Sequence, residues 1–295
     1  MEQAPKNWYD KHYKLGFIIP VLFLVFSLIY LVIFNINNGD LIYKDVSLTG
    51  GTVITVFDSK IDTNALESFL LGKFPDSSLE KLSEISTGEQ KGFVIQTTAE
   101  VSEIRPVLED YLKYSLNQDN SSIEFSGSSI STGFYGQLRL AIILAFLFMA
   151  IVVFIIFRTF IPSFAVILSA FADIVMTLVV VDLLGMKLSL AGVIAFLMLI
   201  GYSVDTDILL TTRLLKNREG TVNERIYGAF KTGTTMTLTA IVAVGASLIV
   251  IYNVSEVLRQ IFSIILIGLL FDIVNTWLTN ASILKWYVDS KGGSI

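Results

Sequence analysis

Apolar residues in this chain gather into six long runs, each close to the 20 or so residues that a helix needs to cross a bilayer. The runs cover 17–34, 138–157, 162–184, 188–210, 234–252 and 258–286. Arg158 and Pro162 separate the second run from the third, and Gly185, Met186 and Lys187 separate the third from the fourth. Residues 213–231 are the longest polar break inside this series, and Asn253 to Glu256 form a short one. Lys6, Lys11 and Lys14 precede the first run, a start shared with signal peptides. The run is long for one, and Asn35 to Gly39 offer no small-x-small cleavage site, so it reads as an uncleaved transmembrane helix.

Between the first and second runs the pattern changes. Residues 51–57 are β-branched and strand-like. Asp62 or Thr63 caps a predicted helix that carries Leu66, Phe69, Leu70 and Phe74 at helical spacing. Residues 79–86 and 92–98 read as antiparallel strands around Thr87–Lys91. Ser102 caps a second helix predicted to run to Leu116, and 121–126 form a last strand. The order βαββαβ predicts a split, ferredoxin-like α+β domain. The expected fold class is a multi-pass α-helical membrane protein with six transmembrane helices and an external α+β domain. Its divisions are a tail (1–16), a first transmembrane helix (17–34), the domain (35–134), a five-helix bundle (135–286) and a second tail (287–295).

Composition agrees: of 295 residues, 53% are hydrophobic and 16% charged, too apolar for an ordinary soluble protein. The net charge of −5 says little, because topology segregates the charges, and nothing suggests nucleic-acid binding. There is no Cys and the one His, His12, lies in the tail, which removes disulfides, thiolate metal sites and thiol catalysis. Neither an enzyme nor a cofactor is expected. With the N-terminus inside, Lys6, Lys11, Lys14, Arg158, Arg213, Lys216, Arg218, Arg225, Lys231, Lys285 and Lys291 fall on the cytoplasmic side. That positive-inside distribution puts both termini in the cytoplasm and the α+β domain outside.

Several polar residues lie within the runs. Asp173 is near the middle of the third and Asp272 near the middle of the sixth; Asp205 is somewhat cytoplasmic of centre in the fourth, and Asp207 is nearer its exit. A carboxylate at bilayer depth costs roughly 2.5–3.5 kcal/mol on the insertion scale and normally faces a bundle interior, a partner or a transport path. No Lys or Arg shares their depth; Lys231 and Arg213 are the nearest cations in sequence. Asn275 follows Asp272 by three residues and shares its face. Thr234, Thr235, Thr237 and Thr239 lie at depths comparable with Asp205 and are candidate donors to it, while Asp182, near the outer end of the third run, can snorkel to water. Such residues either bind helices together or exchange protons. Asp205 is the leading candidate for a proton relay, with Asp207, Asp272 and Asp173 behind it. Gly201 and Gly245 read as close-packing positions.

These residues resemble the SecF family in its archaeal form, the smaller partner of the SecD–SecF pair that assists protein export. Asp45-Val46-Ser47-Leu48-Thr49-Gly50-Gly51 is similar to the segment that leads into the family's outer domain. Gly201-Tyr202-Ser203-Val204-Asp205-Thr206-Asp207 is similar to its fourth-helix motif, and the Thr-rich stretch from Lys231 to Thr239 to the start of its fifth helix. In the bacterial motif the functional Asp follows an Asn, and an ungapped overlay puts Thr206 at its position, so the role falls to Asp205 or Asp207. Lys231 stands roughly where bacterial members carry an Arg.

The resemblance implies half of a proton-driven RND-type transporter. It also implies a SecD-like six-helix membrane partner, the Sec translocon and secretory polypeptide clients at the cytoplasmic membrane. Two rivals are an RND-type small-molecule or lipid exporter and a purely structural translocon subunit.

Overall fold

The structure, a computed structural model, describes residues 8–84, 87–217, 219–252 and 255–291. Six of its helical segments are long and apolar enough to cross a membrane. Helix α1 (Trp8–Asn38) leads into the α+β domain. After the domain come α5 (Ser128–Phe157), α6 (Phe160–Leu183), α7 (Leu190–Lys216) and α8 (Val222–Ile251). The last span is continuous through α9 (Glu256–Val274), a π-helical turn (Asn275–Asn280) and α10 (Ala281–Ser290).

The domain holds a short helix α2 (Val46–Thr49), β1 (Gly51–Val56), α3 (Thr63–Lys73), β2 (Ser78–Ser83), β3 (Gln90–Thr97), α4 (Val101–Leu112) and β4 (Ser121–Ser126). Its sheet order is β2-β3-β1-β4 with antiparallel neighbours throughout, which is the split βαβ arrangement expected from the strand and helix order. Ile54, Val56, Phe93 and Ile95 from the sheet pack on Leu66 and Leu70 of α3 and on Ile104, Leu108 and Leu112 of α4. Asp62 caps α3 by accepting from the amides of Asn64 and Ala65.

Helix α4 departs from expectation at both ends. Glu100, not Ser102, is its N-cap, and Ser102 lies inside the first turn. It ends at Leu112 rather than Leu116, because Lys113 takes the left-handed conformation (φ 64°) and its amide closes on Glu109 O. Residues 85 and 86 of the expected second strand lie outside the described residues.

The bundle is centred on α6 and α7, which bury 61% and 56% of their most apolar windows, against 11% for α5 and 6% for α8. Helix α9 contacts α6, α7 and α8, while α1 and α5 lie on α6. The expected polar break at 213–231 narrows to the residues between Lys216 and Val222. Thr221 and Glu224 form a reciprocal capping box that starts α8 early. Arg225 Nη1 also donates to Leu214 O and Asn217 O, at 2.8 and 2.6 Å. A residue that is polar in sequence is thus helical here because its side chain closes the connection.

The motif before β1 docks the domain on the bundle. Leu188 N donates to Tyr43 O at 2.6 Å, Asp45 N to Leu188 O at 3.0 Å, and Leu190 N to Ser47 Oγ at 3.2 Å. Gly51 (φ 141°) admits no side chain: a Cβ there would lie 2.2 Å from Thr97 O, across the β1–β3 pairing. Lys187 Nζ reaches Asp76 O at 3.2 Å, and Arg259 at the start of α9 pairs with Glu80 of β2.

Candidate functional site

Three buried carboxylates, one from each of three spans, converge inside the bundle: Asp173 of α6, Asp207 of α7 and Asp272 of α9. The π-helical turn supplies most of their partners. In an α-helix, positions five apart diverge by about 140°; the wider i→i+5 turn brings them closer together. The amide of Ala281 bonds to Thr276 O in that pattern. Asn275, Thr276, Thr279 and Asn280 are all buried as a result.

Asp173 accepts from Ser203 Oγ of α7 at 2.5 Å and from Asn275 Nδ2 at 2.7 Å. Asp207 Oδ1 accepts from Asn280 Nδ2 at 2.7 Å and lies 3.0 Å from Thr276 Oγ1. Asp272 Oδ1 lies 3.1 Å from the same Thr276 hydroxyl, and its Oδ2 is 3.3 Å from Thr237 Oγ1 of α8. Among the described residues, no cation is a hydrogen-bond or ion-pair partner of the three carboxylates. Among the described residues no group of three or more His, Cys, Asp or Glu is arranged to hold a metal ion. Inside a low-dielectric interior, hydrogen bonds from uncharged donors to carboxyls are stronger than in water.

The structure separates the two aspartates that spacing alone ranked in the opposite order. Asp205 is exposed on the outer side of α7, on a face shared with Ile194, Met198, Gly201 and Tyr202. Asp207 is fully buried in the cluster. Helix rotation, not depth, decides this: two residues turn the side chain about 200°.

The threonines divide in the same way. Thr235 and Thr239 are exposed and return their hydroxyls to Lys231 O and Thr235 O, both at 2.7 Å, so neither reaches Asp205. Thr237, between them, is the one that turns inward. Lys231 is exposed on the outer side of α8. Arg213 donates to Gly228 O at 2.6 Å and ties α7 to α8 at their polar ends. Thr206 is buried against Gly233, where an added Cβ would approach it and Trp277.

Other expectations need correction. Gly201 and Gly245 have nothing within 4 Å of an added Cβ, so they are open rather than close-packed. Gly268, beside Leu199, is close-packed instead. Asp182 is buried at the end of α6 rather than snorkelling to water. Gly50 (φ 87°) and Gly51 belong to the docking turn and not to the cluster.

Spacing missed Thr276, Asn280 and Ser203 as partners. A signal was present, because Asp272, Thr276 and Asn280 recur every four residues, a polar stripe along one helix face.

Residues 107–290 match a family model described as "Protein export membrane protein SecD/SecF, C-terminal". A curated SecF protein-export membrane protein of Methanothermobacter thermautotrophicus is 42% identical over 285 residues, 95% of this chain and 94% of that one. The chain belongs to the SecD/SecF family. A SecF of Methanolacinia petrolearia is 38% identical over 277 residues, 93% of each chain. The fold is that of the crystal structure of SecDF, a translocon-associated membrane protein from Thermus thermophilus, at a TM-score of 0.73 and 18% identity. The match covers 97% of this chain and 39% of that SecDF chain. Within the SecD/SecF fold, the fourth-helix motif therefore presents two faces: Ser203 and Asp207 toward the cluster, Gly201, Tyr202 and Asp205 away from it.

Proposed function

We propose that this protein is a SecF-type subunit that assists export of secretory polypeptides across the cytoplasmic membrane. It would act with a SecD-like six-helix partner beside the Sec translocon, using the proton gradient. Both termini would be cytoplasmic and the α+β domain, about residues 35–134, external, where it would meet the emerging client.

One observation carries this reading. Among the described residues, three carboxylates sit in the bundle without a cation partner, while another face of α7 leaves Gly201 and Asp205 exposed. A group as costly as Asp205 at membrane depth calls for a polar neighbour. The length of the SecDF chain beyond the matched 39% is consistent with a second half on that side.

Co-purification from native membranes tests the partner. Recovery of a six-helix protein of the same family is expected, and self-association alone would count against the reading. Export into inverted membrane vesicles, with and without an uncoupler, tests the energy source. Uncoupler-insensitive stimulation would leave a structural role in its place.

A further inference from the structure

The cluster is short of hydrogens. Thr276 Oγ1 lies within hydrogen-bond distance of two carboxylate oxygens, Asp207 Oδ1 at 3.0 Å and Asp272 Oδ1 at 3.1 Å. A threonine hydroxyl carries one hydrogen and can donate to only one of them. The other contact becomes a hydrogen bond only when that carboxyl itself carries a proton and donates to Thr276 Oγ1.

Two further atoms point the same way. Asp207 Oδ2 and Asn280 Oδ1 are buried acceptors with no hydrogen-bond partner among the described residues, in side chains wholly hidden from solvent. Ser169 Oγ touches Asp207 but makes no hydrogen bond of good geometry, so its hydrogen does not satisfy Asp207 Oδ2 in this arrangement. Buried acceptors left unsatisfied are expensive, and a resident proton removes part of that deficit.

We propose that Asp207, Thr276 and Asp272 form a proton-holding pair of carboxyls closed within this one chain, with Thr276 as the hydroxyl relay between them. The proposal deepens the proton-coupled reading above by assigning its site. It assigns the proton to the inner face of α7, away from Asp205 and from any partner.

The exchange balances without another reactant. With the proton on Asp272 Oδ1, that O–H donates to Thr276 Oγ1, whose own hydrogen is given to Asp207 Oδ1. Breaking the O–H bond on Asp272, passing the hydrogen through Thr276 and forming an O–H on Asp207 moves one proton between α9 and α7. Thr276 is regenerated.

The groups facing the pair support this. From α6 it meets Asp173, itself held by Ser203 and Asn275, and Ser169. From α8 it meets Thr237, which is uncharged, and Asn280 of the last span donates only an amide. Among the described residues nothing cationic neutralises two ionised carboxylates in a low dielectric, where their repulsion is strong. The helices also differ in what each state favours. Asn280 donates to Asp207 Oδ1 and stabilises its ionised form, whereas Thr237 does so for Asp272. Proton position therefore biases whether the last span is held more tightly to α7, through Asn280, or to α8, through Thr237.

Infrared spectroscopy of the full-length chain in lipid nanodiscs, exchanged between H2O and D2O near neutral pH, reads the proton directly. A protonated-carboxyl C=O band is expected. It should be lost or shifted in Asp207→Asn and in Asp272→Asn, shifted in Thr276→Val, and restored in Thr276→Ser. Absence of the band in the wild type overturns the proposal, and so does a band that none of these variants moves. This measurement needs neither partner nor export, so it fails or succeeds apart from the functional reading. In uncoupler-sensitive export, Thr276→Val is expected to reduce stimulation about tenfold and Thr276→Ser to retain it. Equal stimulation by both variants would overturn the relay.

Discussion

Asn280 Nδ2 donates to Asp207 Oδ1 across 2.7 Å, a hydrogen bond between two side chains wholly hidden from solvent that ties the last span to α7. Cutting it leaves Asp207 Oδ1 with the Thr276 hydroxyl alone. Asn280→Ala should destabilise the bundle by about 1–3 kcal/mol, the range for stranding a buried polar group. Thermal unfolding of the full chain in nanodiscs, followed by tryptophan emission, measures this; an unchanged midpoint would refute it.

Asp205 and Gly201 lie on one open face of α7. Gly201→Leu and Asp205→Ala should leave the stability of the isolated chain within about 0.5 kcal/mol, as for other surface substitutions. The same changes are expected to reduce recovery of the partner in co-purification. If recovery is unaffected, that face is not the interface.

The outer domain should move against the membrane when its outer ties are cut. Arg259 and Glu80 are both partly solvent-exposed, so their pair contributes at most about 1 kcal/mol. Arg259→Ala combined with Lys187→Ala should therefore leave the unfolding midpoint nearly unchanged. Spin-label distances between Ser59 and a site on α8 are expected to broaden. Unchanged distances would place the docking elsewhere, in the Tyr43–Leu188 and Asp45–Leu188 bonds.

Alkaline pH should weaken the domain through Tyr114. Burial, then its hydrogen bond to Asp58 at 2.8 Å, pushes the Tyr114 hydroxyl from 10.0 up to about 12. The folded state holds this proton more tightly than the unfolded chain. The contribution is thus complete below pH 10.0 and is lost as pH rises through about 12. Tyr114→Phe should flatten that part of the profile in circular dichroism melts, and an identical alkaline slope would contradict it.

Gly51→Ala should destabilise the domain far more than an ordinary strand glycine would. Its φ of 141° is closed to side chains, and the new Cβ would meet Thr97 O at 2.2 Å. Strain of about 1–3 kcal/mol is expected from the backbone alone, with steric repulsion in addition. A melt of the full chain showing earlier loss of β-structure checks this.

Legibility in the sequence followed the range of the interaction. Six spans, the βαββαβ order and the strand 121–126 could be read because periodicity, run length and turn chemistry are local. The ends of α4 could not be read the same way. Lys113 turns left-handed while Arg105 Nη2 and Glu109 Oε1 hold Leu116 O and Leu116 N, at 2.7 and 2.8 Å, beyond the helix end.

The sequence by itself determined that carboxylates lie within the apolar runs of a SecF-like chain, since composition and motif are written along it. Which carboxylates meet was decided only by tertiary structure. A two-residue step separates Asp205 from Asp207, and about 200° of helix rotation sends one outward and the other against Thr276 and Asn280. The π-helical turn that aims those partners packs against α6, α1 and α7, a relation between segments that no single stretch of the chain contains.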